Sequence, residues 1–231
     1  MTDISDALAE AARAMGNRES LPETLQAIVD AARTSLPPFE VGVSTTAKDG
    51  AITTRAATSQ TVWDLDTLQY ELGEGPCLEA ILDEGVVSAP AIRHDQRWPR
   101  YVPVAVRDHG LCSQFAVRMF LDEEGTVGGL NFYSTSTESI EAEDVELAKL
   151  FAAHAAVAFG QAREIENLNR ALESRTVIGQ AMGLVMGRYS LDQDAAFAFL
   201  RRASSHANIK LHDVAKRIVE EADRIGGSGT P

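Results

Sequence analysis

From Glu141 the chain contains no proline until Pro231. Proline breaks helices because it lacks an N–H and its ring clashes with the preceding turn, so this stretch is free to form long ones. Leu147, Leu150, Phe151, His154 and Val157 make an apolar stripe, and Ile165, Leu168 and Leu172 continue it at helical spacing. Ser139 or Thr137 is placed to cap the helix, which can reach Met186. At ~1.5 Å per residue such a helix spans on the order of 60 Å, too long to be buried in one small domain. The expectation is that it pairs with a second copy, as a short coiled coil or four-helix junction, to give a homodimer. Gln161 and Arg175 fall on the seam, and a long surface helix lying across its own domain is the alternative. Two more helices follow. Asp192 caps one carrying Ala195, Ala196, Phe199 and Leu200, and the other runs from Leu211 to Ile225 with Val214, Ala215, Ile218 and Val219 inward. Gly226 to Pro231 reads as a flexible tail.

The first two-thirds of the chain has a different grammar. Helices are expected near Ile4 to Met15 and Leu21 to Leu36, the second stopped by Pro37 and Pro38. Phe39 to Thr46 alternates as a strand, Lys48-Asp49-Gly50 turns, and Ala51 to Thr58 returns. A helix over Val62 to Leu72 leads into a glycine-proline turn and a short helix beginning at Pro76, a residue suited to a first helical turn. Val86 to Ala89 is a short strand and Arg100 to His109 is helical. Cys112 to Leu121 and Thr126 to Ser134 form a second strand pair around Asp122-Glu123-Glu124-Gly125. This order is that of an α+β domain around one antiparallel sheet.

Charge divides the chain in the same place. Residues 1–165 carry 12 Lys+Arg against 26 Asp+Glu, a net of −14, while residues 166–231 carry 9 against 8, a net of +1. Residues 170–217 alone carry 8 against 4, a net of +4. Such asymmetry permits a nucleic-acid-facing part within an acidic protein. No stretch approaches the ~20 apolar residues of a membrane span. The N-terminus lacks the basic start and apolar run of a secretory signal, so no membrane partner and a cytoplasmic location are expected. Cys77 and Cys112 have no metal-type spacing and read as two small buried hydrophobes.

Within the C-terminal part stand Ala171-Leu172-Glu173-Ser174-Arg175-Thr176-Val177-Ile178-Gly179-Gln180-Ala181-Met182-Gly183-Leu184-Val185-Met186, then Ala203, Asn208-Ile209-Lys210-Leu211, Asp213-Val214-Ala215 and Ile218-Val219. Their order and spacing resemble the ANTAR family, three-helix modules of bacterial transcription antitermination regulators. The resemblance covers about 55 residues and implies binding to paired RNA stem-loops in nascent transcripts. RNA is read chiefly in unpaired loops, and phosphate contacts make affinity depend on salt. The candidate RNA contacts are Arg175, Gln180, Ala181, Gly183, Arg188, Lys210 and Arg217, the small residues Ala181 and Gly183 permitting close approach of a backbone. Arg201 and Arg202 read as a solvated face, and Asn208 as a cap or turn residue. Two positions depart from the family pattern. Met182 and His212 stand where the family often has Lys and Arg, and losing two cations weakens phosphate contact.

The N-terminal part contains Tyr70-Glu71-Leu72-Gly73-Glu74-Gly75-Pro76-Cys77, Asp95-Gln96-Arg97-Trp98-Pro99, Gly128-Gly129-Leu130-Asn131-Phe132-Tyr133 and His154-Ala155-Ala156. These resemble a GAF domain, of the kind joined to ANTAR modules in actinobacteria. The fold class expected is therefore α+β: an N-terminal GAF-like antiparallel sheet with flanking helices, a long connecting helix, and a C-terminal three-helix ANTAR-like bundle. The domains are residues 1–19 as an N-terminal helix, 20–160 as the GAF-like sensor, 161–225 as the ANTAR-like RNA-binding domain and 226–231 as tail. GAF domains bind cyclic nucleotides, haem, bilins, other small molecules or nothing known, so the resemblance implies the fold and leaves open which small-molecule ligand, if any, is bound. Trp98, Phe115, Val117 and Phe132 are its candidate pocket walls, or ordinary core.

No catalytic constellation stands out. There is no phosphate-binding Gly-x-x-x-x-Gly-Lys loop, and Gly73-Glu74-Gly75 is acidic and reads as a turn. His94, His109, His154, His206 and His212 are scattered without helical metal spacing. No catalytic residue, metal or cofactor is expected. The reading is a one-component regulator, not an enzyme, whose sensor controls RNA binding through the long helix. A DNA-binding transcription factor is the first rival, opposed by spacers of about 5–9 residues between the last helices where a helix-turn-helix uses 3–4. A protein-interaction sensor is the second.

Overall fold

The computed structural model describes residues 20–47, 49–121 and 125–227. The helix expected over Ile4–Met15, and the tail beyond Gly227, lie outside the described residues. The chain divides into two compact units, residues 1–163 and 164–231. Among the described residues no helix is long and apolar enough to cross a membrane.

The first unit is α+β. Helix α1 (Leu21–Ser35) begins where the Ser20 hydroxyl accepts from the Glu23 N–H, with Pro22 in the first turn. Strands β1 (Glu40–Thr46) and β2 (Ile52–Ala57) form the first hairpin. Helix α2 (Gln60–Leu72), the short α3 (Pro76–Glu79) and a π-type turn (Ala80–Glu84) lead to β3 (Val86–Ala89). Helix α4 (Tyr101–His109) precedes the second hairpin, β4 (Ser113–Leu121) and β5 (Gly125–Ser134). The five strands form one sheet in the order β2-β1-β5-β4-β3, every neighbour antiparallel.

Both faces of this sheet are covered, and strand alternation sorts the residues between them. Val41, Val43, Phe115, Val117, Met119, Leu130 and Phe132 pack with Leu25, Ile28, Val29 and Ala32 of α1. Phe115 and Phe132 are cross-strand partners whose rings stack 4.4 Å apart, and Phe39 meets Phe115 edge-on at 5.0 Å. Helix α5 (Ala142–Tyr189) begins in this unit and closes the same face with Ala148, Phe151, Ala152, Ala155, Ala156 and Phe159. Its buried side is mainly alanine, and small side chains let a helix sit close on a sheet. Leu150, His154 and Val157 of the expected stripe are exposed instead, and only Phe151 is buried. Neither Ser139 nor Thr137 caps the helix: Asp144 reaches back to accept from the Glu141 N–H, and the two hydroxyls bond one another.

The opposite face carries α2, α3 and α4. Gly42 lets α2 lie directly on β1, since a Cβ there would stand 2.6 Å from Val62 Cγ1. The glycine-rich turn after α2 is a structural lock. Gly73 ends α2 with φ +65, and Gly75 takes φ +138, where a Cβ would overlap the Gln69 side chain. Between them Glu74 accepts from the Arg100 N–H at 2.9 Å and from its Nε at 2.9 Å, tying the turn to the start of α4. Asp95-Gln96-Arg97-Trp98 works similarly. Asp95 holds Arg97, which reaches the Ser88 carbonyl at 2.8 Å and lies 4.2 Å over the Trp98 ring, while the Trp98 indole donates to Glu79.

The second unit is a three-helix bundle: the later part of α5, α6 (Gln193–Ala207) and α7 (Leu211–Gly227). Its core is Ala181, Val185, Ala196, Leu200, Val214 and Ala215. Asp192 caps α6 by accepting from the Ala195 N–H at 2.8 Å, and Asn208 ends it with φ +52. Helix α5 runs three residues past the expected Met186, and α7 takes in Gly226 and Gly227 from the expected tail. The spacers are Ser190–Asp192 and Asn208–Lys210, three residues each, so the expectation of loose spacers of about 5–9 residues is corrected.

Candidate nucleic-acid interface

The candidate RNA contacts fall into three groups on the bundle. Ala181 is fully buried between the helices, which corrects its reading as an RNA contact. Its small size brings α5 against Ala196 and Ala215 and faces no solvent. Arg175, Gln180 and Gly183 are exposed along α5, and a Cβ at Gly183 would meet nothing within 4 Å. Lys210 stands at the start of α7, where its carbonyl accepts from Asp213 and Val214. Arg217 follows seven residues later on the same side of that helix, about 10 Å along the axis. Arg175 and Arg188 are about 20 Å apart along α5 and on different sides of it.

Among the described residues no carboxylate holds these cations: no ion pair engages Arg175, Arg188, Arg201, Arg202, Lys210 or Arg217. In the first unit Arg33, Arg93, Arg97, Arg100 and Arg107 are each paired with a carboxylate. An exposed cation without a carboxylate loses nothing internal when it meets a phosphate. The two departures from the family pattern also find places. Met182 is half-buried against the bundle core, and His212 is half-buried with its Nδ1 enclosed and without a hydrogen-bond partner. Both side chains are partly enclosed by the bundle.

Arg188 and Arg217 come together on one cleft of about 580 Å³, with Leu184, Tyr189, Phe199 and Ile218 among its walls. Tyr189 and Phe199 lie 5.5 Å apart and tilted, and the Arg188 guanidinium sits 5.9 Å from the Tyr189 ring. Tyr189 does not stand out in the sequence. The signal it offers is an aromatic side chain beside Arg188 at the end of a helix.

The four candidate pocket walls of the first unit do not gather. Phe115, Val117 and Phe132 lie on the sheet face under α1 and α5, while Trp98 belongs to the core on the other face. The three strand residues share one face by the period-two rule, whereas Trp98 lies in the loop before α4 and packs with Tyr101 and Val102 of that helix.

The second face holds instead a buried polar network. Asp66 of α2 is fully buried and accepts from Thr54 at 2.6 Å, from the Asn131 amide at 3.1 Å and from the Tyr133 hydroxyl. Gln69 donates to Tyr133 and accepts from the Cys77 N–H and from Gln114, which accepts from Tyr101. Ser44 bonds Tyr70 at 2.6 Å and accepts from Asn131. No cation is among the partners of Asp66. Burial raises its pKa from 3.8 to about 6, against the lowering effect of its hydrogen bonds to Thr54, Tyr133 and Asn131. Burial, then the nearby Asp66 charge, also pushes the Cys77 thiol well up. Cys112 is half-buried, unlike the expectation of full burial. Asp66 does not stand out in the sequence, because an acid in a helix ordinarily faces water. Among the described residues no cluster of His, Cys, Asp and Glu is arranged to hold a metal.

The pattern of the GAF domain family matches residues 18–159, more than half the chain, and that of the ANTAR domain family matches residues 166–219. No curated protein matches. Among solved structures, the GAF domain from an Acinetobacter phosphoenolpyruvate-protein phosphotransferase is similar, with 11% identity and a TM-score of 0.57 over 72% of this chain and 99% of that one. The corresponding GAF domain from Coxiella burnetii gives 14% identity and a TM-score of 0.57 over 71% and 97%. Free methionine-R-sulfoxide reductase from Neisseria meningitidis gives 13% identity and a TM-score of 0.54 over 70% and 91%. At these identities the likeness shows the fold alone. The chain belongs to the GAF domain family and carries a C-terminal ANTAR domain.

Proposed function

We propose that this chain is a one-component regulator that binds stem-loop RNA in nascent transcripts and promotes antitermination, under control of its GAF domain. The observation that carries this reading is the set of unpaired cations on the ANTAR-matched bundle, Arg175, Arg188, Lys210 and Arg217 among them. An ANTAR domain implies RNA-binding antitermination, and the GAF domain implies a sensor that can take a small-molecule ligand. The actinobacterial variety rests on the sequence motifs; neither family match carries it. Pairing of two copies through α5 belongs to the same proposal. Leu150 and Val157 in the first unit, and Ile165, Leu168 and Leu172 in the second, are 42–61% exposed, and large apolar side chains in such number on one helix favour a partner. A ligand shifts RNA binding only by its difference in affinity between two states of the protein.

Crosslinking and sequencing of bound RNA from cells tests the reading. Wild type is expected to recover paired stem-loops, and Arg175→Ala with Lys210→Ala to reduce that recovery. Unchanged recovery would remove those two residues from the interface, and absence of stem-loops would remove the function.

The three-residue turn Asn208–Lys210 between α6 and α7 gives one observation to a second reading, a helix-turn-helix on duplex DNA. The uncommitted cations serve either polymer, and the ANTAR match favours RNA.

A further inference from the structure

We propose that the cleft at the end of the ANTAR bundle captures one unpaired base of the RNA loop, stacked on Tyr189, with Arg188 and Arg217 holding the adjoining phosphates. The inference rests on the RNA-binding reading and names the subsite that takes the loop.

Three features converge. The first is size. A cleft of about 580 Å³ lies within the range of about 300–1,000 Å³ typical of small-molecule sites, so a nucleobase with its ribose has room. The second is chemistry. Tyr189 is 52% exposed although it is a large aromatic, and Phe199 beside it supports its tilt at 5.5 Å. An exposed aromatic face backed by a second ring is a stacking platform, which takes any base through its π-face. The third is charge. Arg188 and Arg217 reach the cleft from two different helices, and neither is engaged by a carboxylate. Arg188 already stands over the Tyr189 ring, the position from which a guanidinium sandwiches a stacked base or meets its phosphate.

One acid lines the same cleft. Glu221 is exposed and pairs with Arg224 at 3.4 Å. A carboxylate repels phosphate but accepts from a base N–H, so its presence fits the base end of a nucleotide better than the backbone end. An apolar protein segment would cover the two arginines without giving them an anion to pair with. That comparison favours a nucleotide over a peptide as the occupant.

The test uses the full chain and stem-loop RNAs carrying 2-aminopurine at one unpaired loop position at a time. One position is expected to change its fluorescence on binding. Tyr189→Ala should abolish that change and weaken binding by about 5- to 150-fold, the effect of losing one stacked base. Tyr189→Phe should keep both the signal and the affinity, which separates stacking from a role of the hydroxyl in folding. Far-UV circular dichroism confirms the helices of each variant. If wild type binds no stem-loop RNA, the RNA reading itself fails. If wild type binds and Tyr189→Ala binds equally with the same fluorescence change, the subsite is wrong while RNA binding stands. A Tyr189→Ala variant that loses instead a protein partner and keeps RNA would assign the cleft to that partner and overturn the proposal.

Discussion

Replacing Asp66 by asparagine removes the charge from a buried carboxyl and leaves its shape. The amide oxygen still accepts from Tyr133 and Asn131, and the amide nitrogen faces the Thr54 hydroxyl, which can accept. In the native fold the Asp66 pKa rises from 3.8 to about 6. A group that binds its proton more tightly when folded contributes stability that is fully present below its unfolded pKa and is lost as pH rises through its folded one. At about 1.4 kcal/mol per pH unit between those two values, the wild-type chain loses about 3 kcal/mol of stability to Asp66 on passing from acid to neutral pH. The variant has no such loss. Urea unfolding followed by tryptophan fluorescence reads the first unit alone, because Trp63 and Trp98 are the two tryptophans of the chain. Other carboxyls titrate equally in both proteins, so the difference between them isolates Asp66. The variant is expected to gain on wild type by about 3 kcal/mol between about pH 3.5 and about pH 7.5. A stability difference, variant minus wild type, that stays constant or falls as pH rises over that range would refute the argument.

Four further outcomes follow from the geometry. Ala181→Leu forces a larger side chain between three helices and should cost about 1–3 kcal/mol, seen as an earlier far-UV melt with the tryptophan transition unmoved; Gly183→Ala, whose Cβ meets nothing, should instead stabilise the bundle by about 1 kcal/mol. Matched melts would refute the assigned burial. Leu168→Asp with Leu172→Asp should halve the mass in sedimentation equilibrium, and a wild type that already sediments as one chain would remove the dimer. RNA affinity should fall with salt at a log–log slope of at most about −4, from six uncommitted cations at ~0.7 each on unpaired strands; a flat dependence would show that they do not meet phosphate.

Much of the fold was legible because local chemistry agreed with it. Asp192 and Asn208 cap helix α6 where sequence places them, the long proline-free stretch does carry a helix into the second unit, and both hairpins form around one sheet. The face of α5 was not legible. Leucine and valine mark a core by hydrophobicity, but the sheet selects its alanine face by closeness of approach, and Leu150 and Val157 turn outward. Trp98 misled for a related reason: an aromatic in a motif says nothing about which side of a sheet it reaches. Asp66 was invisible because its partners Thr54, Asn131 and Tyr133 lie 12, 65 and 67 residues away. In the bundle, Arg188 and Arg217 stand in the sequence only as candidate cations, and the cleft they share exists only once α5 and α7 pack.

Competition between a paired stem-loop RNA and duplex DNA of the same stem sequence, for the full chain at one fixed salt concentration, bears most directly on the central claim. The stem-loop is expected to displace the duplex and to need its unpaired loop to do so. Retention of the duplex against an excess of stem-loop would assign the bundle to DNA and contradict the account.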